Sequence, residues 1–317
     1  MCPFCFYFCM QIMLKTDMEN KKSLVGAWVE AARPRTLPAS VSPVLLGCAL
    51  AYYDGVFDVV PAVLCLLVAL FAQIASNFAN DYFDFKKGAD REDRLGPERA
   101  VAEGWITPKA MLTGTFVTLG LACAAGLLLV CFADWRLIGV GIAIAICVLA
   151  YSAGPFPLAY NGLGDVCVLL FYGVIPVCFT YYIQTLNFSL LSFLLSVALG
   201  LLSVNILIVN NYRDYEQDKA ARKRTTIVLF GRRAGRVFYV LNECMAFLLV
   251  LPLILDAPWW ILFLFGILFA LCFYTTRELF TLEGRALNRT LGHTARNVFL
   301  FASVLSLLFL YIGGVSN

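Results

Sequence analysis

Charged residues are few. Asp, Glu, Lys and Arg make up 14% of 317 residues, where a soluble domain carries about 25%. Histidine is nearly absent, His293 being the only one. No long polar linker divides the chain. Each shortage excludes something. Little charge beside 61% hydrophobic residues rules out a soluble fold of this size, a disordered chain, a coiled coil and a nucleic-acid-binding module, so nucleic acid is not an expected partner. One histidine cannot build an imidazole zinc site, and no matched nucleophile accompanies it for a hydrolase. The missing linker leaves a single domain, 23–317, behind an N-terminal tail, 1–22. An all-α polytopic membrane protein remains.

Nine apolar stretches run at about 36–53, 57–83, 108–132, 135–151, 163–183, 188–210, 236–255, 258–275 and 296–314. Each approaches the roughly 20 residues that a spanning helix requires. The runs are continuous rather than alternating, which predicts helices and not a barrel. Charge placement predicts the orientation. With nine spans and a cytoplasmic N-terminus, 23 of the 24 Lys and Arg residues fall on the inner face, Arg136 being the exception. Cytoplasmic loops carry such an excess, so the N-terminus is expected in the cytoplasm and the C-terminus outside.

Nine of the twelve cysteines sit in or near these stretches, where Cys behaves as a small apolar residue. Cys2, Cys5 and Cys9 lie in an N-terminal tract without the basic start of a signal peptide. Residues 1–17 read as an extended start or a loose interfacial tail before Met18, which opens an ordinary cytoplasmic leader.

The external connections are short, and the internal loops, 85–107 and 211–235, are long and charged. Function gathers on such loops. Two inward-running helices end in similar polar clusters. Asn77, Asn80, Asp81 and Asp84 follow i, i+3, i+4, i+7 and share one helix face. Asp90 comes after Gly88, where the chain can turn back. Asn210, Asn211, Asp214 and Asp218 repeat the pattern four helices later. Clustered carboxylates repel one another unless a cation intervenes. Mg²⁺ is typically held by one or two carboxylates together with substrate phosphates. Two such sites on facing helices could hold two Mg²⁺ around one diphosphate, with nearby Arg and Lys on its remaining oxygens. The plainer reading, solvated helix ends, fits one cluster less awkwardly than two.

At these residues the sequence resembles the UbiA superfamily of intramembrane prenyltransferases, and within it the menaquinone branch. The first motif reads N-D-Y-F-D-F-K-K-G-A-D from Asn80 to Asp90, with its last acid two residues later than the general pattern. The second reads D-Y-E-Q-D from Asp214 to Asp218. Arg33–Ser40, Asp93–Val101 and Tyr151–Asp165 are similar to that branch as well. The resemblance implies a nine-helix bundle in the cell's inner (cytoplasmic) membrane, with the active site on the cytoplasmic side. It implies Mg²⁺-dependent transfer of a polyprenyl group from polyprenyl diphosphate to an aromatic acceptor, 1,4-dihydroxy-2-naphthoate, with membrane lipid as surroundings. Metal binding is expected at Asn80, Asp84, Asp90, Asp214 and Asp218. Lys86, Arg94, Arg99, Arg213 and Lys219 are diphosphate candidates, and Arg33, Tyr151 and Asp165 acceptor candidates. Asp84, Asp214, Asp218 and Lys219 are the expected catalytic groups. Asp81 is either a ligand or a support for one. Other acceptors of the same chemistry, 4-hydroxybenzoate or homogentisate among them, stay open. An ion-coupled transporter is the alternative of another class, though transporters place their acids near the midplane.

Overall fold

The computed structural model describes residues 22–88 and 94–316, so the expectations for residues 1–17 and for Asp90 fall outside the described residues. Among the described residues there is helix and no strand. The helices are α1 (Leu24–Ala32), α2 (Pro38–Tyr53), α3 (Val59–Lys86), α4 (Pro108–Leu129), α5 (Leu137–Ala150), α6 (Gly164–Thr185), α7 (Leu190–Arg213), α8 (Tyr215–Ala220), α9 (Thr226–Leu255), α10 (Trp259–Thr281) and α11 (Leu287–Ser316). Side-chain oxygens start several of them. Asp58 accepts from the Val60 amide, Thr107 from Ala110, Ser189 from Ser192 and Thr225 from Val228, each satisfying a donor the first turn leaves open.

Among the described residues, seven helices are long and apolar enough to cross a membrane, and eight if a bent pair counts as one span. That pair is α1 and α2, which meet at 53°. Arg33 enters the left-handed region there and Pro34 and Pro38 remove backbone donors, so one helix cannot run through. The expected fourth stretch forms α5, which is only 14 residues long. Elsewhere the helices outrun the apolar stretches on the charged side. α9 starts at Thr226, with a kink at Gly231, and α11 at Leu287, each more than two turns before the apolar stretches expected from 236 and 296. Hydropathy marks where lipid would lie, whereas helical hydrogen bonds continue as long as the backbone geometry and a cap allow.

α7 is the central element, with 67% of its apolar window buried against 17% for α9. Its Leu199 packs with Leu46 of α2, Val177 of α6, Phe265 of α10 and Phe301 and Leu305 of α11 in one apolar core. α6 crosses α7 at Gly173 and Gly200, where a Cβ on Gly173 would lie 2.5 Å from the Gly200 Cα. Small residues let two membrane helices approach backbone to backbone. α6 carries a π-turn, Leu170–Val174, at this same crossing. Glu243, on α9, accepts from the Thr276 hydroxyl of α10 at 2.6 Å, so this membrane-depth acid bonds a neighbouring helix. Among the described residues all nine cysteines are free thiols.

Candidate active site

The last three turns of α3 deliver the first acid cluster, and its four members have different tasks. Asn77 donates to the Ala32 carbonyl at 2.9 Å and so ties α3 to α1. Asp81 is buried, and its carboxylate accepts from the Ala100 and Val101 amides at 3.1 and 3.4 Å. It anchors the loop carrying Arg94 and Arg99 and does not line the cavity described below. Asn80 accepts a short hydrogen bond from the Ser152 hydroxyl. Asp84 is 5% exposed and ringed by donors: the Tyr160 hydroxyl at 2.8 Å, the Lys223 ammonium at 3.4 Å and an Arg99 nitrogen at 3.8 Å.

The second cluster is not on one continuous helix. α7 ends at Arg213, Asp214 stands at the break, and Asp218 rides on the short α8. Beyond α8 the chain reverses at Arg222, which is in the left-handed region, and the Lys223 amide returns to the Asp218 carbonyl at 2.8 Å. This reversal swings the Lys223 ammonium inward, 3.9 Å from the Asp218 carboxylate and in reach of Asp84. One cation thus touches an acid from each cluster, so the two clusters face each other. Burial pushes the Asp218 carboxyl up to about 7; the Lys223 ammonium opposes this, and the charges of Asp214 and Asp84 add to it. Burial also lowers Lys87, with Asp84 opposing and Lys223 adding to the fall.

Both clusters open into a cavity of about 620 Å³. Asn80, Asp84, Asn210, Asp214 and Asp218 line one end, with Arg94, Arg99 and Lys223 beside them. Arg33, Tyr151 and Asp165 also line it. The rest of the wall is mainly apolar, including Val44, Leu129, Leu137, Phe171, Phe179 and Ile183.

Three of the basic candidates are elsewhere. Lys86 and Lys219 are exposed and do not line the cavity. Arg213 is 1% exposed and lies behind the wall, gripping Asp214. Sequence reasoning missed Lys223, Lys87 and Tyr160. Lys87, rather than Lys86, reaches back to the site, though it too is exposed and outside the cavity lining, donating to the Ser152 carbonyl at 2.6 Å and lying 4.2 Å from the centre of the Tyr160 ring. Tyr160 was visible only as part of a similar stretch, and nothing separates Lys223 from its basic neighbours until the Arg222 reversal is seen.

The donor set is all oxygen, from carboxylates and amides, which suits a hard divalent cation. Among the described residues no three His, Cys, Asp or Glu side chains form a cation site by themselves. A cation here would complete its shell with oxygens from a ligand, as Mg²⁺ does with substrate phosphates. The residues present fit that arrangement.

Fold and site together define the class: an integral membrane protein whose bundle encloses a cavity, ionic at one end and apolar along most of its wall. The chain belongs to the UbiA prenyltransferase family, whose family model matches residues 40–303. A curated relative, the 1,4-dihydroxy-2-naphthoate octaprenyltransferase of Haemophilus influenzae, is 37% identical over 235 residues, covering 72% of this chain and 76% of the relative. Two solved structures share the fold. One is a UbiA homolog from Archaeoglobus fulgidus bound to GPP and Mg²⁺, with TM-score 0.61 and 20% identity over 89% of this chain and 97% of that one. The other, the apo UbiA homolog from Aeropyrum pernix K1, has TM-score 0.65 and 15% identity over 86% and 97%. The chain is therefore a prenyltransferase of this family.

Proposed function

We propose that the protein transfers a polyprenyl group from polyprenyl diphosphate to 1,4-dihydroxy-2-naphthoate, in menaquinone biosynthesis. The observation that carries the site reading is the pairing of Asp84 and Asp218 across one cavity through Lys223. The acceptor class rests on the relative named above.

In this reading Asn80, Asp84, Asp214 and Asp218 would hold two Mg²⁺ ions together with diphosphate oxygens; Asp90, the fifth expected ligand, lies outside the described residues. Bound there, Mg²⁺ supplies charge neutralisation for the leaving pyrophosphate. Arg94, Arg99 and Lys223 bind the remaining phosphate oxygens. Tyr160 holds Asp84 in place through its hydroxyl, and Lys87 braces the Tyr160 ring and the Ser152 carbonyl. The apolar wall takes the prenyl chain and excludes water from the allylic cation that forms when the C–O bond to pyrophosphate breaks. Phe171 and Phe179 offer π-faces to that cation. The electron-rich acceptor ring then attacks it, forming a C–C bond at the carbon that bears the carboxylate. Loss of CO₂ returns the bonding pair to the ring and gives demethylmenaquinol. Arg33 meets the acceptor carboxylate, and Tyr151 and Asp165 its hydroxyl groups.

The same reading makes the bent α1–α2 pair and the short α5 count with the seven long helices as nine spans. The N-terminus and the acid end of the cavity then lie in the cytoplasm, the C-terminus lies outside, and the membrane is the cell's inner one.

The test is an acceptor panel. Purified protein in detergent, given Mg²⁺ and octaprenyl diphosphate, converts 1,4-dihydroxy-2-naphthoate into a prenylated naphthoquinol detected by mass spectrometry, and omission of Mg²⁺ abolishes the product. Prenylation of 4-hydroxybenzoate with none of the naphthoate would reassign the acceptor.

A further inference from the structure

Arg213 is among the largest fully buried side chains in the molecule, yet it does not line the cavity. Its guanidinium makes four hydrogen bonds. Nε donates to Asp214 Oδ1 at 2.7 Å, and Nη2 to Asp214 Oδ2 at 2.6 Å and to Asn210 Oδ1 at 2.8 Å. Nη1 donates to Asn288 Oδ1 at 2.6 Å. Such a two-pronged grip fixes the plane of a carboxylate as well as its position. Asn210 and Asp214 line the cavity, so Arg213 sets two wall residues from behind.

Asn288 lies in the first turn of α11 and belongs to neither acid cluster. Its carboxamide orientation is forced, because a guanidinium only donates and a backbone carbonyl only accepts. The oxygen faces Arg213, and Nδ2 donates to the Leu95 carbonyl at 2.9 Å. Leu95 belongs to the loop whose Arg94 and Arg99 line the acid end of the cavity. The loop passes close over the buried cation. A Cβ on Gly96 would stand 2.7 Å from Arg213 Nη2, so any side chain there must displace the guanidinium.

We propose that Asn288 is a positioning residue for the metal–diphosphate site: one amide holds Arg213 against Asp214 and pins the Arg94–Arg99 loop beside it. The proposal rests on the diphosphate reading above. Without Asn288, the Arg213 side chain loses the contact that keeps it behind the wall and can swing along Asp214 into competition with a bound cation. The loop loses its tie to α11 in the same event. Acid ligands and phosphate-binding cations are thus set by a single side chain from a helix that carries none of the motifs.

The experiment is calorimetric titration of the detergent-solubilised full chain with Mg²⁺ in the presence of inorganic pyrophosphate, read together with the metal-free melting temperature. Asn288→Ala weakens the apparent Mg²⁺ affinity by about 10–100-fold, the range found when a partner orienting a metal ligand is removed. Combining Asn288→Ala with Arg213→Gln costs no more affinity than Arg213→Gln alone, because the two act in series. Gly96→Ala crowds Arg213 from the loop side and weakens Mg²⁺ in the same direction, and it carries the test if the Asn288 variant does not fold. A wild-type affinity retained in Asn288→Ala, with only the melting temperature or the stoichiometry reduced, reduces Asn288 to a structural contact and overturns the proposal. So does additivity of the two losses. Failure of the wild-type chain itself to bind Mg²⁺ with pyrophosphate removes the diphosphate reading and this inference with it.

Discussion

Asp84 draws three donors from three different parts of the chain: Tyr160, Lys223 and Arg99. Removing a buried carboxylate so surrounded leaves cations facing each other with nothing between them. Asp84→Ala and Asp214→Ala are expected to lower kcat by at least about a hundredfold while the solubilised bundle still melts cooperatively, which a turnover assay beside a thermal melt checks. The lysines separate more finely. Lys223→Ala removes the cation shared by the two clusters and should cost about tenfold or more in kcat/KM, in line with the loss of a charge-assisted contact. Lys219→Ala, at an exposed position outside the cavity, should stay within about twofold, because charges well exposed to solvent contribute little. A reversed order of those two values would mean that the turn at Arg222 places the wrong lysine inward. Tyr160→Phe deletes only the hydroxyl on Asp84 and leaves the ring under Lys87 and Lys223, so a loss of about three- to tenfold is expected in kcat/KM, corresponding to one hydrogen bond to a charged group.

At the scale of elements, the crossing of α6 and α7 decides where the cavity wall stands. Gly173 and Gly200 allow backbone contact there, and Phe171, Ile175 and Phe179 of α6 line the cavity beside the π-turn. Gly200→Val would drive a branched side chain into the Leu169 carbonyl, 2.9 Å from where its Cβ must sit. Overpacking of this kind typically costs about 1–3 kcal/mol. A lowered melting temperature, with the affinity for Mg²⁺ and pyrophosphate in the remaining folded protein little changed, is the expected signature. The acid ends are carried differently. α3 presents Asn80 and Asp84 on an unbroken helix, whereas Asp214 and Asp218 are divided between α7 and α8. The second site therefore depends on Arg213 and Asn288 for its geometry, and the first on the loop that Asp81 holds.

For the whole molecule, the charge asymmetry and the nine apolar stretches make one prediction. Single cysteines introduced near Val315 in a variant lacking native reactive thiols should be labelled by an impermeant maleimide from outside intact cells, and cysteines near Lys109 should not. Labelling of both from the same side would remove the nine-span topology. The long polar loops of the inner face and the cavity's ionic end belong together in this arrangement, since Lys223, Arg94 and Arg99 all come from those loops.

Composition and periodicity by themselves determined an all-helical membrane bundle, because apolar surface on this scale has no stable alternative in water and backbone groups in lipid must bond internally. The first acid cluster was equally legible, since helical spacing places residues i, i+3, i+4 and i+7 on one face; the second was legible only as a repeated pattern, because the helix breaks at Asp214. Which basic residues serve those acids was not. Lys86 and Lys87 are neighbours in sequence, yet one faces outward and the other braces Tyr160. Lys219 and Lys223 differ by a chain reversal that no local pattern announces. Arg213 looked like a phosphate ligand and is instead buried behind Asp214, and Asn288 had no signal at all. Only tertiary structure could decide these, because a helix fixes its own faces through local hydrogen bonds, while the partner of a charge is set by contacts between distant segments, 65 residues apart for Lys87 and Ser152 and 139 for Asp84 and Lys223.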